Sequence, residues 1–177
     1  MSTAPQPTVI LTLRRVLDQA ARASLRAAAG EWHEGGIVAE ADGGAGRRVD
    51  TAYPGWPPGV RERLEAVLLP RVAGTWGFAV DAWEAPQLLR YGPGDGYGWH
   101  IDLGPGPAAR RKLSVTVLLS DPDDFAGGDL EFDGGVALPR ERGAALVFPS
   151  FLRHRVAPVL AGERWALVAW LTGPPLV

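Results

Sequence analysis

The spacing of apolar positions divides the chain into two parts. The first part is helical in period. After a short apolar stretch, Val9–Leu13, that reads as a strand, Asp18 is placed to cap a helix running through Ala29, with Leu25 and the alanines on its inner face and Gly30 at its end. Pro57 and Pro58 lead into a second helical pattern that puts Val60, Leu64, Val67 and Leu68 on one face. Pro70 lacks an amide hydrogen and crowds the preceding turn, so it is expected to end or kink that helix. Between the two, Gly43, Gly44 and Gly46 followed by Arg47 and Arg48 read as a flexible surface loop.

Beyond residue 85 the period shortens. Gln87–Tyr91, Lys112–Ser120, Asp129–Phe132, Ala144–Phe148, His154–Val159 and Arg164–Leu171 are strand-length, rich in Val, Leu and aromatics, and bounded by Gly, Pro or Asp. Leu113, Val115, Val117 and Leu119 alternate with Ser114, Thr116, Leu118 and Ser120, the pattern of a strand with one buried face and a single apolar residue on the other. No helix-length pattern separates these segments, which disfavours a parallel sheet built from βαβ units. The expected fold is mainly β with some α: an antiparallel sandwich or jelly roll with two N-terminal helices buttressing one face. There is no internal repeat or linker, and 177 residues suit one domain, a helical buttress over about 1–85 and a β core over about 86–173.

Composition narrows the function. Glycine (23) and proline (16) exceed a fifth of the chain, which fits many short elements joined by turns. Eighteen basic against twenty acidic residues leave a net charge of −2, so nucleic acid is not an expected partner. The absence of cysteine excludes disulfides, thiolate metal sites, cysteine nucleophiles and iron–sulfur clusters. Met1–Gln6 carries no basic leader, and the longest apolar run, Trp165–Leu171, falls far below the ~18 residues of a membrane span. A soluble, cytoplasmic protein with no membrane partner is the expectation; nothing in the sequence sets its oligomeric state.

Three histidines make the census of candidate chemistry short. His100 and Asp102, two apart, would project from the same face of an extended strand. With His154 from another strand they would complete a two-histidine, one-carboxylate facial triad, which leaves one face of an octahedral ion open. Arg164 follows His154 by ten residues across Pro158 and Gly162, a spacing that can return its planar fork beside the metal to bind a carboxylate. His33 has no such company and reads as a surface or packing histidine. Gly92–Gly96 has the glycine spacing of a phosphate loop but leads into a strand and is followed by no Gly-Lys-Ser/Thr. Asp121, Asp123 and Asp124 around Pro122 read as turn formers rather than calcium ligands. Arg110-Arg111-Lys112 reads as a solvated strand start, not a phosphate track.

Taken in order, Arg90-Tyr91-Gly92-Pro93-Gly94-Asp95-Gly96-Tyr97-Gly98-Trp99-His100-Ile101-Asp102, the Leu113–Phe125 run, Gly127-Gly128-Asp129-Leu130, Phe148-Pro149-Ser150, His154–Val159 and Gly162-Glu163-Arg164 resemble the 2-oxoglutarate- and Fe(II)-dependent dioxygenases, most of all the prolyl/lysyl-hydroxylase-like (PKHD-type) group. The resemblance covers about residues 86–172. It implies a double-stranded β-helix (jelly roll) with Fe(II), 2-oxoglutarate and O2 as cofactor and co-substrates, and ascorbate as a candidate reductant. It further implies iron ligands at His100, Asp102 and His154, a basic partner for the distal carboxylate of 2-oxoglutarate at Arg164, and an aromatic hydroxyl in the co-substrate pocket at Tyr91. Leu118 departs from relatives that place a second tyrosine there, and Ser114 and Thr116 are candidate substitutes.

The implied reaction converts 2-oxoglutarate and O2 to succinate and CO2 while hydroxylating an unactivated C–H bond. The implied substrate is a prolyl or lysyl residue of a peptide or protein, or a related free amino acid. The carboxylate at Asp102 argues against halogenase chemistry, and the lack of a basic excess argues against the DNA-repair relatives. Two alternatives stand: a cupin-like metalloenzyme that does not use 2-oxoglutarate, which gives Arg164 no role, and a non-enzymatic peptide-binding module, which needs neither triad nor arginine. Substrate selectivity is expected from the Gly43–Arg48 and Asp95–Trp99 loops, with Tyr97 and Trp99 as candidate substrate contacts.

Overall fold

The structure, a computed structural model, describes residues 10–34, 46–133, 136–137 and 140–175. Its first strands are β1 (Leu11–Leu13), β2 (His33–Glu34), β3 (Asp50–Ala52), β4 (Ala82–Trp83), β5 (Gln87–Tyr91), β6 (Tyr97–His100) and β7 (Arg111–Leu118). They are followed by β8 (Phe125–Gly127), β9 (Leu130–Phe132), β10 (Val136–Ala137), β11 (Ala145–Pro149), β12 (His154–Val156), β13 (Val159–Gly162) and β14 (Arg164–Thr172). Helices α1 (Gln19–Ala27) and α2 (Val60–Thr75) lie in the N-terminal half. Among the described residues the strands form a large sheet ordered β1-β11-β7-β14-β5-β3-β2, with β4 added on β14, a four-stranded sheet β10-β9-β12-β6, and the pair β13-β8. All these pairings are antiparallel. The sheets do not close into a barrel; they make the expected jelly roll.

Both helices form where the spacing places them. The Asp18 side chain accepts a hydrogen bond from the Ala21 amide at 2.9 Å, satisfying one of the free donors at the start of α1. The helix ends two residues before Ala29, and Gly30 takes the left-handed φ of 64° that the chain reversal requires. In α2, Val60, Leu64, Leu68 and Val72 are buried, and they meet Leu113, Val115, Val117, Leu167 and Leu171 of the large sheet in one core.

Two expectations for α2 are corrected. Val67 is 38% exposed, because the buried stripe runs through Leu68 to Val72 and turns Val67 to solvent. Pro70 does not end the helix, which continues to Thr75. Pro70 and Ala66 both lie on the exposed side, where water can take the carbonyl that the missing amide leaves free, while Leu68 and Val72 hold the turns on either side.

The central strands serve two layers. On β7 and β14, Leu113, Val115, Val117, Trp165, Leu167 and Leu171 face the helices, and the alternate residues Ser114, Thr116, Arg164, Val168 and Trp170 line a cavity on the other side. The polar residues of β7 are therefore buried as well: Ser114 is 1% exposed and Thr116 9%. The single buried face expected for this strand is a correction, since a strand between two packed layers has no solvent side.

The expected strand His154–Val159 is two strands, β12 in the small sheet and β13 paired with β8, broken at Ala157 and Pro158. Pro158 brings no amide hydrogen, so a ladder cannot run through it. His154 and Arg164 accordingly do not sit on neighbouring strands of a simple hairpin. Val9, Gly43 and Gly44 lie outside the described residues. His33 is exposed on β2, as expected, and the aspartates around Pro122 build a short 3-10 turn capped by Asp121. Among the described residues no helix is long and apolar enough to cross a membrane.

Candidate metal centre

The two candidate histidines come together as cross-strand partners. His154 on β12 stands opposite His100, the last residue of β6, with ring centroids 4.2 Å apart. Asp102 lies beyond the end of β6, so it shares a face with His100 through a turn rather than through strand alternation. That turn is held by Ser150, whose carbonyl accepts the Asp102 and Leu103 amides, both at 2.9 Å. Asp102 Oδ1 lies 3.6 Å from His100 Nε2 and Oδ2 lies 3.7 Å from His154 Nε2. One ligand atom from each residue fits within 4.8 Å of the others, so these three side chains can hold one metal ion.

The surrounding bonds prepare them for that task. His100 Nδ1 bonds to the Gly98 carbonyl at 2.8 Å and His154 Nδ1 to the Leu152 carbonyl at 2.9 Å. A carbonyl only accepts, so Nδ1 carries the proton in each ring and the Nε2 lone pair is left for the metal. Burial pushes the His154 imidazolium to lower pKa, against the pull of Asp102, and the neutral ring is the form that ligates. Burial alone would raise the Asp102 carboxyl, but the His100 and His154 rings and the Ser114 hydroxyl outweigh it and hold the group well below the usual carboxylate range. Ser114 donates to Asp102 Oδ2 at 2.6 Å and receives a hydrogen bond from the fully buried Ser150 hydroxyl at 3.0 Å.

Across the cavity a second pair is built the same way. Arg164 on β14 is the register partner of Tyr91 on β5, and its guanidinium carbon sits 5.2 Å from the Tyr91 ring centroid. Both are buried, Arg164 at 5% exposure and Tyr91 at 0%. Among the described residues no carboxylate pairs with Arg164, and the Tyr91 hydroxyl has no hydrogen-bond partner. The Asp129 carboxylate acts on the Arg164 charge without closing an ion pair, and a buried guanidinium and phenol left short of hydrogen-bond partners are costly unless a ligand supplies them. Burial pushes the Tyr91 phenol up to about 12, with Arg164 and Arg47 pulling the other way, so it is a donor at neutral pH. Gly128 makes room for the arginine: a Cβ there would come within 2.9 Å of Arg164 Cδ, on a backbone with a φ of 64°.

His100, Asp102, His154, Arg164 and Tyr91 line one cavity of about 170 Å3. Thr116 and Tyr97 line it too; Tyr97 stacks on His100 at 3.5 Å between centroids. Leu118 lies outside it, beside Arg164 on the far side, so no hydroxyl stands where Leu118 departs from the tyrosine-bearing relatives. Trp99 does not line the cavity and instead lies under the guanidinium groups of Arg153 and Arg155.

The basic run is corrected. Arg110 is exposed and pairs with Asp81, but Arg111 is mostly buried, hydrogen-bonded to Glu84 and to the Asp102 carbonyl, and 3.6 Å from the Trp170 centroid. Lys112 is 4% exposed. Strand pairing beside Trp170 draws this run inward. Ser114, read as a candidate substitute for the missing tyrosine hydroxyl, instead sits beneath Asp102, and Gly128, read only as part of a matched motif, makes room for Arg164.

The fold and this donor set define a class, the jelly-roll oxygenases that use Fe(II) and 2-oxoglutarate. The sequence profile of the 2OG-Fe(II) oxygenase superfamily matches residues 86–172. The chain is 31% identical to a PKHD-type hydroxylase of Klebsiella pneumoniae over 87% of its own length and 73% of the relative's. It is 42% identical to a PKHD-type hydroxylase of Hyphomonas neptunium over 49% of this chain and 42% of that one.

Two solved structures share the fold. One is a Trichoplax adhaerens prolyl hydroxylase in complex with a hypoxia inducible factor peptide fragment (TM-score 0.68, 18% identity, 93% of this chain and 83% of that chain). The other is a Pseudomonas putida prolyl-4-hydroxylase (TM-score 0.67, 21% identity, 93% and 92%). This chain belongs to the PKHD-type hydroxylases of the 2OG-Fe(II) oxygenase superfamily, and it is an Fe(II)- and 2-oxoglutarate-dependent hydroxylase.

Two outcomes are expected. Ser114→Ala should weaken metal binding by about 10- to 100-fold, because it removes a hydrogen bond that orients a ligand; anaerobic titration checks it, and unchanged affinity would detach Ser114 from the centre. Of three tyrosines, one should ionise only near pH 12, and Tyr91→Phe should abolish that step in an ultraviolet titration. Because the unfolded phenol ionises near pH 10, the contribution of Tyr91 to stability is intact below pH 10 and lost between about 10 and 12. Ionisation of Tyr91 near 10 would contradict its burial.

Proposed function

We propose that His100, Asp102 and His154 hold the iron, that Arg164 and Tyr91 receive the distal carboxylate of 2-oxoglutarate, and that the carbon hydroxylated belongs to a prolyl residue of a peptide or protein. The observation that carries this reading is the pairing of a buried Arg164, which makes no close ion pair with any described carboxylate, with the unpartnered Tyr91 hydroxyl in the cavity that holds the triad. A cupin-like metalloenzyme without 2-oxoglutarate leaves both groups without purpose, and so does a peptide-binding module. The donor set suits iron: two neutral imidazole nitrogens and one carboxylate on one side of the ion leave the opposite side free for ligands.

Bound there, the iron supplies the oxidation that turns O2 and 2-oxoglutarate into succinate, CO2 and a hydroxylated substrate. The residues of the chain bind and orient. The fork of Arg164 fixes one carboxylate of the co-substrate bidentately, and the Tyr91 phenol donates to the same group. Gly98 and Leu152 hold the two imidazole protons away from the metal face, and Ser114 keeps one carboxylate oxygen of Asp102 occupied. Trp170, Phe148 and Val168 wall the cavity and exclude bulk water, which strengthens every charge interaction inside. A prolyl target is favoured by the two prolyl hydroxylases that share the fold, one of them bound to a peptide fragment.

The test is succinate formation by the full chain given Fe(II), 2-oxoglutarate and O2, with and without prolyl peptides. Wild type should form succinate, a prolyl peptide should raise the rate, and Asp102→Ala should abolish it. Arg164→Ala should raise the 2-oxoglutarate requirement by about 10- to 100-fold, the value of a lost charge-assisted pair, with Arg164→Lys recovering only part. An unchanged requirement in Arg164→Ala would refute its role.

A further inference from the structure

Resting on that reading, we infer that Arg47 makes a second anion site in the cavity, and that the primary substrate carries a carboxylate close to the carbon that is hydroxylated. Four groups that line the cavity besides the histidines carry formal charge: Arg47, Asp102, Arg111 and Arg164. Arg111 is neutralised by Glu84. With Fe(II) and 2-oxoglutarate bound as proposed, the two positive charges of the metal would be balanced by Asp102 and one carboxylate of the co-substrate. The other carboxylate of 2-oxoglutarate meets Arg164. Arg47 remains a cation without a counter-charge among the described residues.

The surroundings of Arg47 sharpen the point. Its Nη2 donates to the hydroxyl of the buried Thr51 at 2.9 Å, a neutral acceptor that fixes the side chain and leaves its charge in place. Its Nε is buried without a partner. Among the described acids on adjoining segments, Asp50 pairs with Arg90 and Asp95 with Arg48. Arg47 lies over the Tyr97 ring, 5.2 Å from its centroid, and Tyr97 in turn stacks on His100, so the guanidinium stands two layers from a metal ligand. Unlike the buried Arg164 it is partly exposed, as suits a group that meets a ligand arriving after the co-substrate. A planar fork with an unused Nε–H is suited to a carboxylate, through paired N–H donors.

A carboxylate near a prolyl ring has two sources: the free α-carboxylate of the residue itself, or an acidic side chain beside it in a peptide. The experiment separates them by calorimetric binding to the full chain loaded with redox-silent Mn(II) and 2-oxoglutarate. One pair of probes is L-proline and L-prolinamide; the other is N-acetyl-aspartyl-prolinamide and N-acetyl-asparaginyl-prolinamide. Wild type should bind the acid of one pair about tenfold or more tighter than its amide, and the pair that shows the preference identifies the source. Arg47→Gln should abolish the preference and Arg47→Lys should retain part of it.

Equal binding of acid and amide in both pairs, no binding of either acid, or a preference that survives Arg47→Gln would overturn the inference. So would an Arg47→Gln variant whose defect is confined to 2-oxoglutarate affinity, which would make Arg47 a co-substrate ligand. Failure of 2-oxoglutarate to bind the Mn(II)-loaded wild type would instead refute the functional reading, and the inference with it.

Discussion

Strands β7 and β14 are buried on both faces, and the two faces do opposite work. One carries Leu113, Val115, Val117, Leu167 and Leu171 into the core beneath α1 and α2; the other carries Ser114, Thr116, Arg164 and Trp170 into the cavity. Strict alternation of side chains is what allows this, because a shift of one residue would drive leucines into the cavity and a guanidinium into the core. Packing of the helices therefore fixes the register of the large sheet, and the register fixes the place of Arg164, the proposed anchor for the co-substrate. The same logic runs through the small sheet, where one cross-strand pair, His100 and His154, supplies two of the three candidate metal ligands.

The cavity is an arrangement of charges that protein alone does not complete. Asp102 is held ionised by two imidazoles and a serine hydroxyl, and Arg164 is buried with only the indirect pull of Asp129 among the described acids. An ion pair between Asp102 and Arg164 would neutralise both and destroy both sites; the two sheets keep them on separate walls. Burial of an unpaired charge costs stability, and in the proposed function a dianionic ligand and a dication would supply the missing partners. The hydrophobic side of β7 and β14, continuous with the core under α2, offsets that cost.

Much of this was legible in the chain because alternation and punctuation are local. Gln87–Tyr91 appears as read, the β7 and β14 segments within two residues, and Asp18 caps the helix assigned to it. His100, Asp102, His154, Arg164 and Tyr91 all line one cavity, as the ordered motifs implied. What escaped reading depends on contacts between distant segments. Val67 and Val72 differ only in which side of α2 the sheet covers. Arg111 reads as a solvated charge until Glu84, 27 residues earlier, and Trp170 close around it. The Ser150–Ser114–Asp102 chain joins three motifs whose order along the sequence does not show that these side chains meet, and Pro158 divides a run that looks continuous in hydrophobicity.

The central claim is that one cavity holds two anchors, a metal triad and a buried arginine, which bind the two ends of 2-oxoglutarate together. The most direct measurement is the affinity of the intact chain for 2-oxoglutarate under anaerobic conditions, with and without Fe(II), in wild type and in Arg164→Ala. The account predicts one equivalent bound per chain, tight only when the metal and the arginine are both present. Binding that is equally tight without the metal, or equally tight without Arg164, would contradict it.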